Sequence, residues 1–146
     1  MAGDPVFVDT NVLVYATRPS ATQHAVASAA LARLEGDGST LWVSPQVLRE
    51  YLAVVTRPQV SAPALRMATA IADVQTFRAA FEIAEDRPTM LDRLFHLLIA
   101  HSGSGRQVHD ANVVATMLEH GIRRLLTFNT ADFRRFAPLI DLEPIP

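Results

Sequence analysis

Two amino acids are missing from this 146-residue chain, and each absence excludes a group of chemistries. There is no cysteine, so disulfide bonds, thiolate nucleophiles, iron–sulfur clusters and cysteine-based zinc sites are excluded. There is no lysine either, because all 13 basic residues are arginine. This second absence excludes a lysine Schiff base, the lysine of a Walker A loop and the lysine partner of an aspartyl phosphate.

Long apolar runs and a surplus of positive charge are also absent. No apolar run reaches the roughly 18 residues of a membrane-spanning helix, and the N-terminal residues lack the positive flank of a signal peptide. We therefore expect a cytoplasmic protein with no membrane contact. The net charge of −2 means that any binding of nucleic acid needs a local basic patch. The length suits one domain, which we expect to span residues 1–146.

Short apolar runs alternate with helical patterns along the chain, and this alternation predicts an α/β fold. The apolar runs at 6–8, 41–43, 81–84 and 125–128 are interpreted as strands. Helical patterns occupy 11–17, about 21–35, 45–57, about 64–80, a stretch beginning at Thr89, a stretch ending at Gly121 and a short segment after Asn129. We expect a three-layer α/β/α fold around a short, mainly parallel sheet of four or five strands.

Three of the helices give more specific predictions. Ser44 and Pro45 are expected to begin the third helix as its cap and its first residue. Thr89 and Asp92 resemble a capping box at the start of the fifth helix. The packing residues expected around the fourth helix are Leu65, Ala68, Ile71, Ala72, Phe77 and Phe81. Those expected on the fifth are Met90, Leu91, Leu94, Phe95 and Leu98.

Acidic and amide side chains stand where strands end or helices begin. Asp9 follows the first strand directly, Asp110 lies in the first turn of the sixth helix, and Asn129 and Asp132 follow the fourth strand. Glu50 lies on the border of the apolar stripe of the third helix, from which a side chain can reach a cleft between helix and sheet. Singly, each acid is explained as a helix cap, a first-turn acid or an edge carboxylate.

In a parallel sheet with right-handed crossovers, strand ends and the starts of the following helices share one edge. Carboxylates brought together there would repel one another and raise their own pKa values unless a cation neutralised them. A hard divalent ion such as Mg²⁺ suits a cluster of oxygen ligands. Bound there, it could activate water for hydrolysis of a phosphodiester.

Taken in order, these segments resemble the PIN domain, and within it the VapC-type toxin ribonucleases of toxin–antitoxin pairs. The resemblance covers essentially the whole chain and rests on four motifs: D-T-N at Asp9, S-P-Q-V-L-R-E-Y around Glu50, H-D-A-N-V-V-A around Asp110, and the closing T-F-N-T-A-D-F. It implies an endoribonuclease dependent on Mg²⁺ or Mn²⁺ that acts on RNA. It also implies a homodimer held inactive by a VapB-like antitoxin.

Carried over by position, the resemblance implies that Asp9, Glu50 and Asp110 bind the metal. The fourth position departs from the common acidic pattern, because Asn129 stands where many members have aspartate, and Asp132 follows three residues later. Asn129 is expected to complete the catalytic set, with either Asn129 or Asp132 as a weaker ligand. We expect one well-held metal ion and a weaker or absent second one. The missing charge leaves an alternative open, namely a catalytically weak or inactive PIN-like module that binds RNA or a partner.

Substrate contacts are expected from polar residues around the acids and from arginines. Thr10, Asn11 and Thr127 are candidates for such contacts, and Thr10 and Asn11 are also expected to shape the turn and to form hydrogen bonds around the site. Arginine can hold a phosphate with two parallel hydrogen bonds. Arg18 and Arg124 are the first candidates for this contact. The further candidates are Arg106, Arg123, Arg134 and Arg135.

Overall fold

The structure, a computed structural model, describes residues 3–60 and 62–145, and within those ranges the chain forms five strands, seven α-helices and one 3₁₀ helix. The strands are β1 (Pro5–Val8), β2 (Thr40–Val43), β3 (Glu82–Ile83), β4 (Arg124–Leu126) and β5 (Asp141–Leu142). The helices are α1 (Thr10–Ala16), α2 (His24–Gly36), α3 (Pro45–Val55), α4 (Met67–Ala80), α5 (Thr89–Ala100), α6 (Gln107–Glu119) and α7 (Thr130–Phe133), followed by the 3₁₀ helix Arg134–Phe136.

The five strands form one sheet in the order β3-β2-β1-β4-β5, and every neighbouring pair is parallel. This confirms the predicted α/β fold with a short parallel sheet. From β1 the chain continues to β2 and β3 on one side, and β4 and β5 are added on the other. The strand order therefore reverses between β1 and β4. In open α/β sheets the carboxyl ends of such strands border a crevice in which ligands bind.

The central strand β1 lies in the middle of the hydrophobic core. Val6, Phe7 and Val8 are fully buried, as expected for an apolar run without alternation. The helices pack in two groups. In the first, α1 packs against α2 and α3, and α3 packs against α4; in the second, α6 packs against α5 and α7. Within the described residues, no helix is both long enough and apolar enough to cross a bilayer.

Helix α3 begins as predicted, because the Ser44 side chain accepts a hydrogen bond from the Val47 backbone N–H and Pro45 is the first helical residue. Two other helices begin three residues later than predicted. Helix α2 starts at His24 rather than near Ala21. Helix α4 starts at Met67, because the segment before it is extended and the Leu65 N–H donates to the Val55 carbonyl.

The packing faces of α4 and α5 differ from the predicted ones. Helix α4 buries Ala70 and Phe77, whereas the predicted Ala68, Ile71 and Ala72 are exposed. The face of α4 that packs against the core also includes Asp73, which accepts a hydrogen bond from the Tyr51 hydroxyl. Because this acid interrupts the apolar stripe, hydrophobicity alone does not identify the buried face.

Helix α5 buries Met90, Leu94 and Leu97, whereas Leu91 and Phe95 are more than half exposed. The expected capping box is also wrong, because the helix begins at Thr89 itself and the Thr89 hydroxyl donates to Glu119 Oε1 at 2.5 Å.

Candidate active site

A pocket of about 560 Å³ opens where α1, α3, α6 and α7 meet the carboxyl ends of β1 and β4. Its lining includes Asp9, Glu50, Asp110, Asn129 and Asp132, and we call it the acidic pocket. The acids come from four segments separated along the sequence, as the parallel topology predicted. Thr10, Asn11, Val14, Tyr15, Val54, Gln59, Arg106, Gln107 and His109 complete the lining.

Asp9 is buried at the end of β1 and caps α1. Its Oδ1 accepts from the Thr10 N–H at 2.8 Å, and its Oδ2 accepts from the Thr127 hydroxyl at 2.8 Å and from Asn11 Nδ2 at 3.2 Å. Burial raises the pKa of Asp9 and the negative charge of Glu50 raises it further, against the lowering effect of the three hydrogen bonds. Asp9 therefore does both things that the sequence allows: it caps helix α1, and its carboxylate lines the acidic pocket.

Asn11 and Thr127 connect the two central strand ends. The Asn11 amide donates to the Thr127 hydroxyl at 3.3 Å, and its carbonyl oxygen accepts from the Phe128 N–H at 3.0 Å. Thr127 in turn accepts from the Asn129 N–H at 3.0 Å. These contacts fix the turn after β4 against the start of α1. Asn11 therefore has the hydrogen-bonding role that the sequence predicted.

Glu50 is half-buried on the border of α3 and faces the acidic pocket. Its Oε2 accepts from the Thr10 hydroxyl at 3.0 Å, and its Oε1 accepts from Gln46 Nε2 at 3.1 Å. Thr10 thus contacts both acids, since its N–H binds Asp9 and its hydroxyl binds Glu50. Sequence reasoning missed Gln46, although its position four residues before Glu50 on one helix was a usable signal.

Asp110 lies in the first turn of α6, partly buried in the wall of the pocket. Burial and the negative charges of Asp132, Asp9 and Glu50 together raise its pKa to about 6, while Arg135 opposes them. A role in stabilising the helix dipole alone does not explain why an acid stands at this position, because the surrounding acids disfavour its ionised form.

Asn129 and Asp132 both line the pocket, although only Asn129 stands at the fourth position of the motif. Asn129 precedes α7 and makes no side-chain cap. Asp132 is the strongest charged influence on the pKa of Asp110. The negative charge that is lost at Asn129 is therefore supplied to the same pocket by Asp132.

The two leading arginine candidates do not line the acidic pocket. Arg18 is buried, and its Nη2 donates to the Val55 carbonyl at 3.0 Å. Arg124 lies at the opposite end of β4 from the pocket, where it donates to Glu143 at 2.5 Å and to Ser39 at 3.1 Å. Both are occupied by contacts within the fold, so neither position fits the predicted contact with RNA phosphates.

Of the further candidates, Arg106 lines the pocket and is exposed. Arg135 donates to the Gln107 carbonyl at 3.1 Å and lies over the Phe136 ring. Arg123 pairs with Asp141 at the other end of the sheet.

The donor chemistry of the acidic pocket fits a hard divalent cation. Four carboxylates line it together with the side-chain amides of Asn11, Gln59, Gln107 and Asn129, and Arg106 is the arginine among the lining residues. Burial, together with the mutual repulsion of the acids, raises the pKa values of Asp9 and Asp110. Within residues 3–60 and 62–145, however, no three His, Asp or Glu side chains lie close enough together to hold an ion as they stand. The acids share a pocket without forming a closed ligand set.

Comparisons with known proteins agree with this geometry. The PIN domain family model matches residues 6–139. Ribonuclease VapC24 of Mycobacterium tuberculosis is 28% identical over 131 residues, which cover 88% of this chain and 89% of that protein.

Solved structures support the same fold. The crystal structure of M. tuberculosis VapC20, described as a sarcin–ricin loop cleaving toxin, gives a TM-score of 0.70 at 19% identity and covers 97% of this chain and 99% of its own. A toxin–antitoxin complex from Klebsiella pneumoniae gives a TM-score of 0.63 at 20% identity and covers 88% and 90%.

Proposed function

This chain belongs to the PIN domain family, and we propose that it is a divalent-metal-dependent endoribonuclease of the VapC type, the toxin of a toxin–antitoxin pair. The observation that carries the proposal is the convergence of Asp9, Glu50, Asp110 and Asp132 on one pocket at the switch point of the sheet. Relatives that are named as a ribonuclease and as a sarcin–ricin loop cleaving toxin support it. The proposal includes a single domain over residues 1–146 and a cytoplasmic location.

Asp9, Glu50 and Asp110 would hold the ion, with Asn129 or Asp132 as a weaker fourth ligand. Mg²⁺ or Mn²⁺ fits this all-oxygen set, and one well-held ion is proposed. When bound, such an ion supplies an activated water and stabilises charge on a phosphoryl oxygen.

The side chains around the acids prepare the site. Thr127, Asn11 and the Thr10 N–H hold both oxygens of Asp9, so that its carboxylate keeps one orientation. Arg106 is exposed at the pocket and would bind an RNA phosphate.

Asp132 favours catalysis over a module that binds RNA without cutting it. The alternative was motivated by the charge missing at Asn129. Asp132 brings a carboxylate to the same pocket and acts on Asp110 there. The acidic character that a hard cation requires is thereby maintained.

A cleavage assay on labelled RNAs tests the proposal. Protein purified without antitoxin should cut RNA with Mg²⁺ or Mn²⁺ and should lose activity in EDTA and in Asp9→Asn or Asp110→Asn. Asp92→Asn is the matched control, because Asp92 is the fourth residue of α5 as Asp110 is of α6, yet it lies outside the acidic pocket. Folded protein that leaves diverse RNAs intact with either metal would contradict the enzyme and favour the binding module.

We also propose a VapB-like antitoxin partner and a homodimer. The toxin–antitoxin complex among the structural relatives supports the first. The second is supported by Leu91, Phe95 and Ile99, which are exposed by 55%, 54% and 85% and recur every four residues along α5. Light scattering of the purified chain should give twice the monomer mass, and a monomer at micromolar concentration would contradict the dimer.

A further inference from the structure

Gln46 connects the helix that carries Glu50 with the helix that carries Asp110. The residue is buried in the first turn of α3, and its Nε2 donates to Glu50 Oε1 at 3.1 Å and to the His109 carbonyl at 3.2 Å. Its Oε1 accepts from Asn112 Nδ2 at 2.6 Å. One buried amide therefore contacts an acid on α3, the backbone next to Asp110, and a side chain one turn further along α6.

The chemistry of the three partners fixes the direction of this amide. The NH₂ group has two protons, and it faces two acceptors, the Glu50 carboxylate and the His109 carbonyl. If the amide were reversed, its oxygen would face both acceptors and its NH₂ group would face the Asn112 donor. Because an unpaired buried polar group is unfavourable, the observed orientation is strongly preferred. Asn112 thus holds Gln46, and Gln46 holds Glu50.

The contact matters because the acids do not form a closed ligand set as they stand. Glu50 has one oxygen bound by Thr10 at the start of α1 and the other bound by Gln46, which itself forms hydrogen bonds with α6. The direction in which Glu50 faces Asp110 is therefore set through Gln46.

We propose that Gln46, held by Asn112, is a positioning residue that orients Glu50 toward Asp110 and so sets the affinity of the acidic pocket for a divalent cation. This inference rests on the proposed metal-dependent function. Gln46 contacts neither the substrate nor the ion in this proposal and acts through Glu50. Hydrogen-bond partners of ligating carboxylates commonly contribute about 10–100-fold to metal affinity.

The test compares Mn²⁺ binding to the full chain and to Gln46→Met, which keeps the length of the side chain but removes all three hydrogen bonds. The free Mn²⁺ signal in electron paramagnetic resonance gives the dissociation constant, and thermal unfolding in EDTA gives stability separately. Gln46→Met should bind Mn²⁺ about tenfold more weakly at temperatures where it is folded. Thr116→Val is the matched control, because it removes a buried hydroxyl from α6 that donates to the Asn112 carbonyl and contacts no acid.

A double-mutant cycle separates positioning from a general loss of structure. In a Glu50→Gln background, Gln46→Met should have no further effect on Mn²⁺ affinity, because its target carboxylate is gone. If Gln46→Met does not fold, Asn112→Leu replaces it and should weaken Mn²⁺ binding in the same direction.

Unchanged affinity in folded Gln46→Met or Asn112→Leu would overturn the inference, and so would an equal loss in Thr116→Val or in the Glu50→Gln background. Failure of the wild-type chain to bind Mn²⁺ is a different result, since it would overturn the proposed metal dependence itself.

Discussion

Replacing Asp110 by asparagine should stabilise the metal-free protein while destroying its metal site. Burial and the charges of Asp132, Asp9 and Glu50 raise the pKa of Asp110 from 3.8 to about 6. The native state therefore holds this proton more tightly than the unfolded chain does. The resulting stability is fully present below the unfolded pKa and is lost as the pH rises through the folded one. At neutral pH, ionised Asp110 consequently disfavours folding.

The size of this effect follows from the pKa values. A rise from 3.8 to about 6 corresponds to about 3 kcal/mol if the group were fully shielded from water. Asp110 is only partly buried, and solvent screening reduces the expected effect to about 1 kcal/mol. Asparagine has the same shape and no charge, so Asp110→Asn should raise the free energy of unfolding by about this amount at about pH 7.5.

Urea denaturation followed by circular dichroism, with EDTA present, measures the difference. The gain should shrink as the pH falls and vanish near about pH 4, where wild-type Asp110 is protonated in the native state. Added Mg²⁺ should reverse the order, because it stabilises only the variant that binds it. Asp92→Asn should not show the gain, since Asp92 has the same place in its helix but is exposed outside the acidic pocket. A gain that stayed constant down to about pH 4, or no gain at all, would refute the repulsion assigned to this pocket.

Three further substitutions test other contacts. Thr127→Val removes one of the three hydrogen-bond donors to Asp9, so it should lower the free energy of unfolding by about 1–3 kcal/mol and also slow RNA cleavage. Normal cleavage would show that Thr127 does not contribute to the site. Tyr51→Phe removes the hydroxyl that donates to Asp73, and neither residue lines the acidic pocket. Urea denaturation should therefore show a free energy of unfolding lower by about 1–2 kcal/mol, while RNA cleavage by the folded variant is unchanged. Arg106→Gln should reduce the slope of log binding constant against log salt for RNA by about 0.7–1, and an identical slope would exclude Arg106 as a phosphate contact.

The sequence predicts most of the site because local rules place its acids. Asp9 follows an apolar strand, Asp110 follows the start of a helix, and Glu50 lies on a helix border, and each position is set by periodicity within a few residues. A parallel sheet then brings strand ends and helix starts to the same edge without any knowledge of side-chain contacts.

The parts that escaped prediction depend on contacts between distant segments. The arginine at position 18 follows a helix and precedes a proline, which is typical of an exposed loop, yet its guanidinium is buried against the end of α3. Asp73 looks like a solvent-facing acid until the Tyr51 hydroxyl is seen beside it. Gln46 has a role only because His109 and Asn112 reach it from another helix. Contacts of this kind cannot be predicted from hydrophobicity and residue spacing.

The hydrogen bond from Thr127 to Asp9 joins two residues that the ribosome adds to the chain at very different times. The two residues are 118 positions apart, and β1 is the first strand of the chain while β4 is the fourth. On the ribosome the N-terminal part emerges first, and contacts between distant segments wait for the later one. Asp9 is therefore synthesised early and acquires its hydrogen bond from Thr127 only after β4 has been translated. A nascent or truncated chain that lacks β4 would contain three of the four acids without the strand that orders them.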